Sequence, residues 1–258
     1  MQKIRIAGCR LPVGLNIQNN LKEIKTAIDW AAENSVDIIS TPECALSGYL
    51  WKPNHIKDPL IAEIEDAYTE ICEYSKEKNV DIVLGTGWVN SQKHWCNAQK
   101  FIVDGKCIHT HQKVILFPLE AEMYTPGGDT VVTIRYKGLT IAGLICNDAW
   151  SNPFAFQNRS GAILQSLRDK KTDIIFLSAN VPGDSWPRRL FYDWNKSWIE
   201  MAAATLKMSF VVSDVTVLNK PNDPISPAGV CEFPNLWKVV ADDTNRDYFF
   251  HDIEIFNK

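Results

Sequence analysis

Three reactive side chains stand at, or just past, the end of an apolar run. Glu43 follows VDIISTP, Lys113 closes CIHTHQK and Cys146 ends LTIAGLI. Strand ends are where α/β proteins gather reactive groups, because a rigid sheet fixes their positions. A thiolate is a strong nucleophile, but a free thiol has a pKa near ~8.5 and needs a base or a cation beside it. A carboxylate shielded from water gains proton affinity and can serve as that base. A desolvated ammonium can favour the thiolate and hold a developing oxyanion.

Each of the three also has an ordinary reading. Free cysteines are among the most buried residues, and Cys9, Cys44, Cys72 and Cys231 are expected to be structural. Cys146 differs because Asn147, Asp148, Trp150, Asn152 and Pro153 follow at once, a polar turn that opens the thiol to a pocket and offers backbone N–H groups. Glu43 is flanked by Pro42, Cys44, Ala45 and Leu46, which is not the setting of a surface charge or a helix cap. Lys113 is followed by Val114, Ile115, Leu116 and Phe117, whereas an ordinary lysine faces solvent.

The elements that must carry these groups follow from periodicity. Residues 3–8 alternate as a strand, and Ile17, Leu21, Ile24, Ile28 and Ala31 form one stripe of a helix. VDIIST (36–41) and VDIVLGT (80–86) read as short buried strands on either side of a helix over 59–78. Hairpins are predicted at Asp104-Gly105, within 98–112, and at Lys137-Gly138, between TVVTIRY and LTIAGLIC. A short helix near 160–170, the strand DIIFLSA, a helix from Trp186-Pro187 to about Lys207 (capped by Asp184 or Ser185) and the strand SFVVSDVTV follow. The remainder reads as short strands and turns. Helices alternating with strands early and hairpins later predict one α/β domain over 1–258 with mixed parallel and antiparallel pairing.

Bulk properties narrow the function classes. The chain has 258 residues, 45% of them hydrophobic and 22% charged, with a net charge of −4 and no charged blocks. That balance gives no attraction to nucleic acid or anionic lipid. The N-terminal apolar run is too short for a signal peptide, and no stretch approaches the ~18 residues of a membrane span. Seven cysteines, without a C-x-x-C pair, point to reduced thiols and a cytoplasmic location.

The segments around the three side chains resemble, in order and spacing, the motifs of the nitrilase (carbon–nitrogen hydrolase) superfamily. TPECALSGY resembles its glutamate motif, HQKVILFPLEAEMYTPGGD its lysine motif with the downstream Pro-Gly, and GLICNDAWSNP its cysteine motif. The resemblance runs from residue 3 to about residue 230. It implies a four-layer α-β-β-α sandwich, with Glu43 as general base, Lys113 as oxyanion-stabilising lysine and Cys146 as nucleophile of a thioester mechanism. It implies a second glutamate before Pro126, for which Glu120 stands at the matching distance with Glu122 as its close competitor. Tyr49, Asn147 and Trp150 are the substrate-contact candidates, with the backbone N–H of Asn147 a further oxyanion donor. The implied substrate is a small amide or N-carbamoyl compound, cut with release of ammonia or an amine. No cofactor and no metal are implied, and the expected partner is a second copy of the chain, in a homodimer or larger homo-oligomer.

Departures from the superfamily pattern bear on the substrate. Where Cys-x-Asp-x-Arg-Phe-Pro-Glu is usual, this chain reads Ala149, Trp150, Ser151, Asn152 and Pro153. Cys-Asn-Asp resembles D-amino-acid carbamoylases, but Ala149 cannot hold a substrate carboxylate as their arginines do. Either the substrate lacks a carboxylate there, or Arg188 and Arg189 supply the charge from elsewhere; the ordinary reading of those two arginines is a solvated helix start. Cys-Asn-Asp-Ala-Trp also resembles the amidase domain of glutamine-dependent NAD synthetases; without a synthetase domain, ammonia is released rather than channelled. True nitrilases carry Cys-Trp-Glu, which disfavours nitriles. The helix near 198–205 reads Met201-Ala202-Ala203-Ala204 in place of Arg-Ala-x-Glu, which bears on subunit packing.

Rival classes rest on less. Cys107, His109 and His111 are expected on one face of a strand, where ordinary packing competes with a metal site. Gly85-Thr86-Gly87 after a strand lacks the third glycine of a dinucleotide fingerprint, Asn90 standing in its place. A papain-like pair has only His251 downstream of Cys146. A non-catalytic scaffold on the same fold is the remaining alternative.

Overall fold

The computed structural model describes residues 2–50, 56–149, 159–180, 188–216, 226–234, 236–241 and 248–255. The first half of the chain runs β1 (Gln2–Leu11), α1 (Ile17–Glu33), β2 (Ile38–Ser40), α2 (Asp58–Lys78), β3 (Asp81–Val89), β4 (Trp95–Val103) and β5 (Lys106–Gln112). The second runs β6 (Thr133–Tyr136), β7 (Leu139–Ile145), α3 (Arg159–Asp169), β8 (Ile174–Ser178), α4 (Arg188–Leu206), β9 (Ser209–Val215), β10 (Gly229–Glu232), β11 (Leu236–Val240) and β12 (Tyr248–Ile255).

Parallel neighbours need a long crossover, usually a helix, and both halves obey that rule. β1, β2 and β3 are parallel, with α1 and α2 as crossovers, and β7, β8 and β9 are parallel, with α3 and α4 as crossovers. Hairpins extend each set: β4 and β5 beyond β3, β6 beyond β7, and β10 with β11 beside β9. The two sets join where Arg10 and Leu11 at the end of β1 pair with Asp214 and Val215 of β9.

Alternation along the strands sorts side chains into three apolar layers. Ala7, Cys9, Ile39, Ile82 and Leu84 pack with Ile24, Ile28 and Ile71 of α1 and α2. Ala142, Leu144, Ile175, Leu177 and Phe210 pack with Leu164, Ile199 and Ala203 of α3 and α4. Their neighbours Ile4, Ile6, Ile38, Val83, Phe101, Ile141, Ile174, Phe176 and Val211 meet in the middle. Helices, sheet, sheet and helices make the four-layer α-β-β-α sandwich. A polar stitch crosses the middle layer: Gln99 Nε2 donates to Ser178 Oγ (2.8 Å) and to the Phe176 carbonyl (3.2 Å), and Ser178 Oγ donates to the Thr41 carbonyl (2.7 Å).

Local chemistry explains most boundaries. Asn16 caps α1, its side chain accepting from the Asn19 N–H at 2.9 Å. Both predicted hairpins close on consecutive positive φ angles, 48° and 70° at Asp104-Gly105 and 44° and 94° at Lys137-Gly138, as type I′ turns require.

Three features differ from expectation. Residues 130–132 precede β6 rather than belonging to it. β12 is no short terminal strand: it runs antiparallel along β1 from Gln2↔Ile255 to Cys9↔Tyr248. Cys107 does not share a face with His109 and His111. Phe101 pairs with His109 but Ile102 pairs with Cys107, so a bulge at Ile108 turns the thiol to the helix side. The caps proposed for α4 at Asp184 or Ser185, with Trp186-Pro187, lie outside the described residues, as do the side chains of Arg188 and Arg189. Among the described residues no helix is long and apolar enough to cross a membrane.

Candidate active site

Glu43 lies in the loop that leaves β2, a segment held by both sheets. The Glu43 N–H donates to the Ala179 carbonyl beyond β8 (3.2 Å), and the Leu46 N–H donates to the Gly85 carbonyl of β3 (3.1 Å). Gly85 is required by contact: a Cβ there would stand 2.0 Å from the Pro42 carbonyl oxygen. Gly87 lies against the Trp95 ring, so this Gly-x-Gly is explained by packing. Gly85→Ala is expected to push Pro42 and Glu43 out of register, lowering stability by about 1–3 kcal/mol, as overpacking does. Thermal unfolding of the variant measures this, and an unchanged midpoint would remove the role given to the close approach.

Lys113 follows β5, its N–H donating to the Asn97 carbonyl and its own carbonyl accepting from Gly127, each at 2.8 Å. Its ammonium lies 2.7 Å from Glu43 Oε1 and 2.8 Å from the Glu120 carboxylate. Glu43, Lys113 and Glu120 are 0%, 1% and 1% exposed. Glu120 sits buried in a 3₁₀ turn over Pro118–Glu122, whereas Glu122 is exposed. Asn97 of β4 ties the carboxylates together, its Nδ2 donating to Glu43 Oε1 at 2.7 Å and to Glu120 Oε1 at 3.3 Å. The Tyr49 hydroxyl also donates to Glu120 Oε1.

These contacts set the protonation chemistry. Burial pushes the Glu43 carboxyl up to about 7, and the nearby Glu120 adds to the rise against the lowering pull of Lys113. Burial works against the Lys113 ammonium, but Glu120 and Glu43 outweigh it and hold the amine protonated well beyond its ordinary range. Glu43 Oε2 is buried and has no hydrogen-bond partner among the described residues. It is a lone pair free to take up a proton.

Cys146 opens a 3₁₀ turn, Cys146–Asp148, at the end of β7. It is half-buried and in no disulfide, and its φ of 45° is a conformation that L-residues rarely adopt. Asp148 closes the same turn, and its Oδ1 accepts from the N–H groups of Val114 (2.9 Å) and Ile115 (2.8 Å), which sets the Cys146 turn beside Lys113 and its carboxylate partners. Sharp strand-to-turn placement of a nucleophile, with strained backbone, is a recurrent way to present it at a sheet end. Asn147 is buried, and Trp198 Nε1 donates to the Ala149 carbonyl at 2.6 Å, fixing the following residue. Trp150 lies outside the described residues.

The structure therefore brings together Glu43, Lys113, Glu120, Cys146 and Tyr49, with Asn147 next in the chain. Sequence reasoning missed Asn97, a polar residue inside a strand with no motif to mark it. It also named Asp148 and His111 without linking them, although His111 Nε2 lies 2.8 Å from Asp148 Oδ2.

Residues 4–191 match the family described as Carbon-nitrogen hydrolase. This chain is a carbon–nitrogen hydrolase family member. It is 26% identical over 153 residues to the glutamine-dependent NAD(+) synthetase of Aquifex aeolicus and 28% identical over 170 residues to that of Xanthomonas campestris pv. campestris, matches that cover 58% and 63% of this chain. They cover only 26% and 30% of those relatives, so the hydrolase chain spans about a quarter to a third of their length. Among solved structures, the glutamine-dependent NAD+ synthetase of Acinetobacter baumannii aligns with a TM-score of 0.80 at 16% identity, over 98% of this chain and 46% of its own. The NitN amidase of Nesterenkonia sp. AN1 aligns with a TM-score of 0.77 at 15% identity, over 98% of this chain and 93% of its own. Both show the nitrilase-superfamily fold.

Proposed function

We propose that this carbon–nitrogen hydrolase is a thiol-dependent amidase, acting on a small amide or N-carbamoyl substrate through a thioester on Cys146. The observation that carries the reading is the buried ammonium of Lys113, 2.7 Å from Glu43 and 2.8 Å from Glu120, beside the Cys146 turn. In this reading Glu43 takes the thiol proton and the sulfur attacks the carbonyl carbon. Lys113 and the Asn147 N–H stabilise the oxyanion, and Glu43 returns the proton to the departing nitrogen. Water then attacks the thioester with Glu43 again as base. Glu120, held by Tyr49, Asn97 and Lys113, keeps the ammonium in place.

The relatives' names add glutamine to the substrates worth testing, since its side chain is a primary amide. A panel of simple amides, glutamine, N-carbamoyl compounds and nitriles, scored by ammonia release and by the mass of an acyl adduct on Cys146, tests the proposal. Absence of turnover and adduct across the amide and N-carbamoyl members would favour a non-catalytic scaffold. A single domain, a homo-oligomer and a cytoplasmic location belong to the same proposal, and sedimentation measures the assembly.

The base role of Glu43 has a pH signature. A carboxylate that accepts protons is active only when ionised, so with Glu43 pushed up to about 7, kcat/KM rises as pH increases through about 7 and then levels. Glu43→Gln is expected to remove that limb and to lower the plateau ~10²–10⁴-fold. An unchanged limb in the pH–rate profile of the variant would take Glu43 out of the mechanism.

A further inference from the structure

We propose that His111 is a positioning residue for the reaction, acting through Asp148 on the backbone that carries Cys146; the inference rests on the reading of Cys146 as nucleophile. Asp148 is fully buried, and its carboxylate gathers donors from both sides of the site. Oδ1 accepts from the N–H groups of Val114 (2.9 Å) and Ile115 (2.8 Å), while Oδ2 accepts from the N–H of Ile145 (3.1 Å) and meets His111 Nε2 at 2.8 Å. Ile145 immediately precedes the nucleophile and Val114 immediately follows the lysine. One side chain therefore fixes the spacing of Cys146 from Lys113.

His111 is the only side chain among these four donors, and at 4% exposure it is nearly as enclosed as the carboxylate it meets. Three backbone N–H groups already donate to the Asp148 carboxylate, so it serves as the acceptor here too, with Nε2 as the donor. The ring closes the second oxygen of Asp148 over the turn. The turn needs such closure, because the positive φ of Cys146 persists only where surrounding contacts over-determine it. Without His111, Oδ2 keeps the Ile145 N–H alone, the hold of the carboxylate on the turn loosens, and the sulfur shifts relative to Lys113. A displacement of about 1 Å is enough to cost ~10² in rate.

The test compares His111→Leu, His111→Gln, Asp148→Asn and the double variant His111→Leu/Asp148→Asn, each checked for folding by circular dichroism, in kcat, KM and the rate of Cys146 alkylation by iodoacetamide. His111→Leu is expected to lose about 10²-fold in kcat with little change in KM, the pattern of a misplaced reacting group. His111→Gln, whose amide N–H can reach Asp148, is expected to recover most of the loss. The double variant is expected to be no slower than Asp148→Asn alone, because both changes break one contact. Wild-type kcat in folded His111→Leu, no rescue by glutamine, or additive losses in the double variant would each overturn the proposal. If His111→Leu does not fold, His111→Gln and His111→Gln/Asp148→Asn carry the comparison, where near-wild-type kcat and no added loss are expected and additive losses overturn it. Failure of the underlying reading is separate: ammonia release by Cys146→Ala removes the nucleophile whatever the His111 variants do.

Discussion

Cys146→Ala is expected to fold normally and to release no ammonia from any amide that the unaltered chain hydrolyses. Removing one sulfur from a half-buried position leaves the backbone and its neighbours in place, and such changes usually shift stability by no more than about 1 kcal/mol. Alanine meets the same strain as cysteine at a φ of 45°, so the turn is not selectively disturbed. Loss of a catalytic nucleophile, by contrast, costs on the order of 10⁶ in kcat, because the remaining groups act only in concert with it. Intact-protein mass after incubation with substrate supplies the second readout, with an acyl adduct on the unaltered chain and none on the variant. Turnover or an adduct in Cys146→Ala would refute the thioester route.

Lys113→Met is the second large effect, and it separates stability from chemistry. Methionine fills nearly the same space but leaves the Glu43 and Glu120 carboxylates together at 0% and 1% exposure, with no ammonium between them. Breaking a buried ion pair from one side costs on the order of 3–5 kcal/mol. The pH dependence has a definite sign. The raised Glu43 carboxyl binds a proton more tightly folded than unfolded, so stability falls as pH rises from its ordinary value of 4.5 toward about 7. Removing Lys113 removes the one neighbour that lowers Glu43 by charge, so the fall deepens and extends to higher pH. The deficit relative to the unaltered chain is therefore largest at alkaline pH and shrinks on acidification. Melting temperatures at about pH 5.5 and about pH 8.5 measure it, and a deficit that grows on acidification would contradict the charge assignment. With the oxyanion partner gone, kcat/KM is expected to fall at least ~10²–10³-fold while Cys146 remains open to alkylation.

Much of this was legible in the residues because the signals are local. Buried β-branched runs, helical stripes and two Asp-Gly or Lys-Gly turns marked the parallel units and hairpins, and the three reactive side chains announced themselves at strand ends. What could not be read depends on long-range geometry. Glu120 and Glu122 are two positions apart in one 3₁₀ turn, and only the direction of that turn separates a buried carboxylate from an exposed one. Asn97 meets Glu43 across 54 positions and His111 meets Asp148 across 37, contacts without a sequence period. β12 was obscure because its partner lies at the opposite end of the chain, where Arg5 also pairs with Asp252 at 2.6 Å. The Ile108 bulge defeated strict alternation, and with it the grouping of Cys107 with two histidines.

The Gln99–Ser178–Thr41 stitch has a mechanical corollary. Oily layers can shear past each other at modest cost, but sliding one sheet over the other here would strand buried amide and hydroxyl groups, each costing about 1–3 kcal/mol. The stitch ends on the Thr41 carbonyl, two residues before Glu43, so the two sheets are bolted together where the Glu43 loop begins.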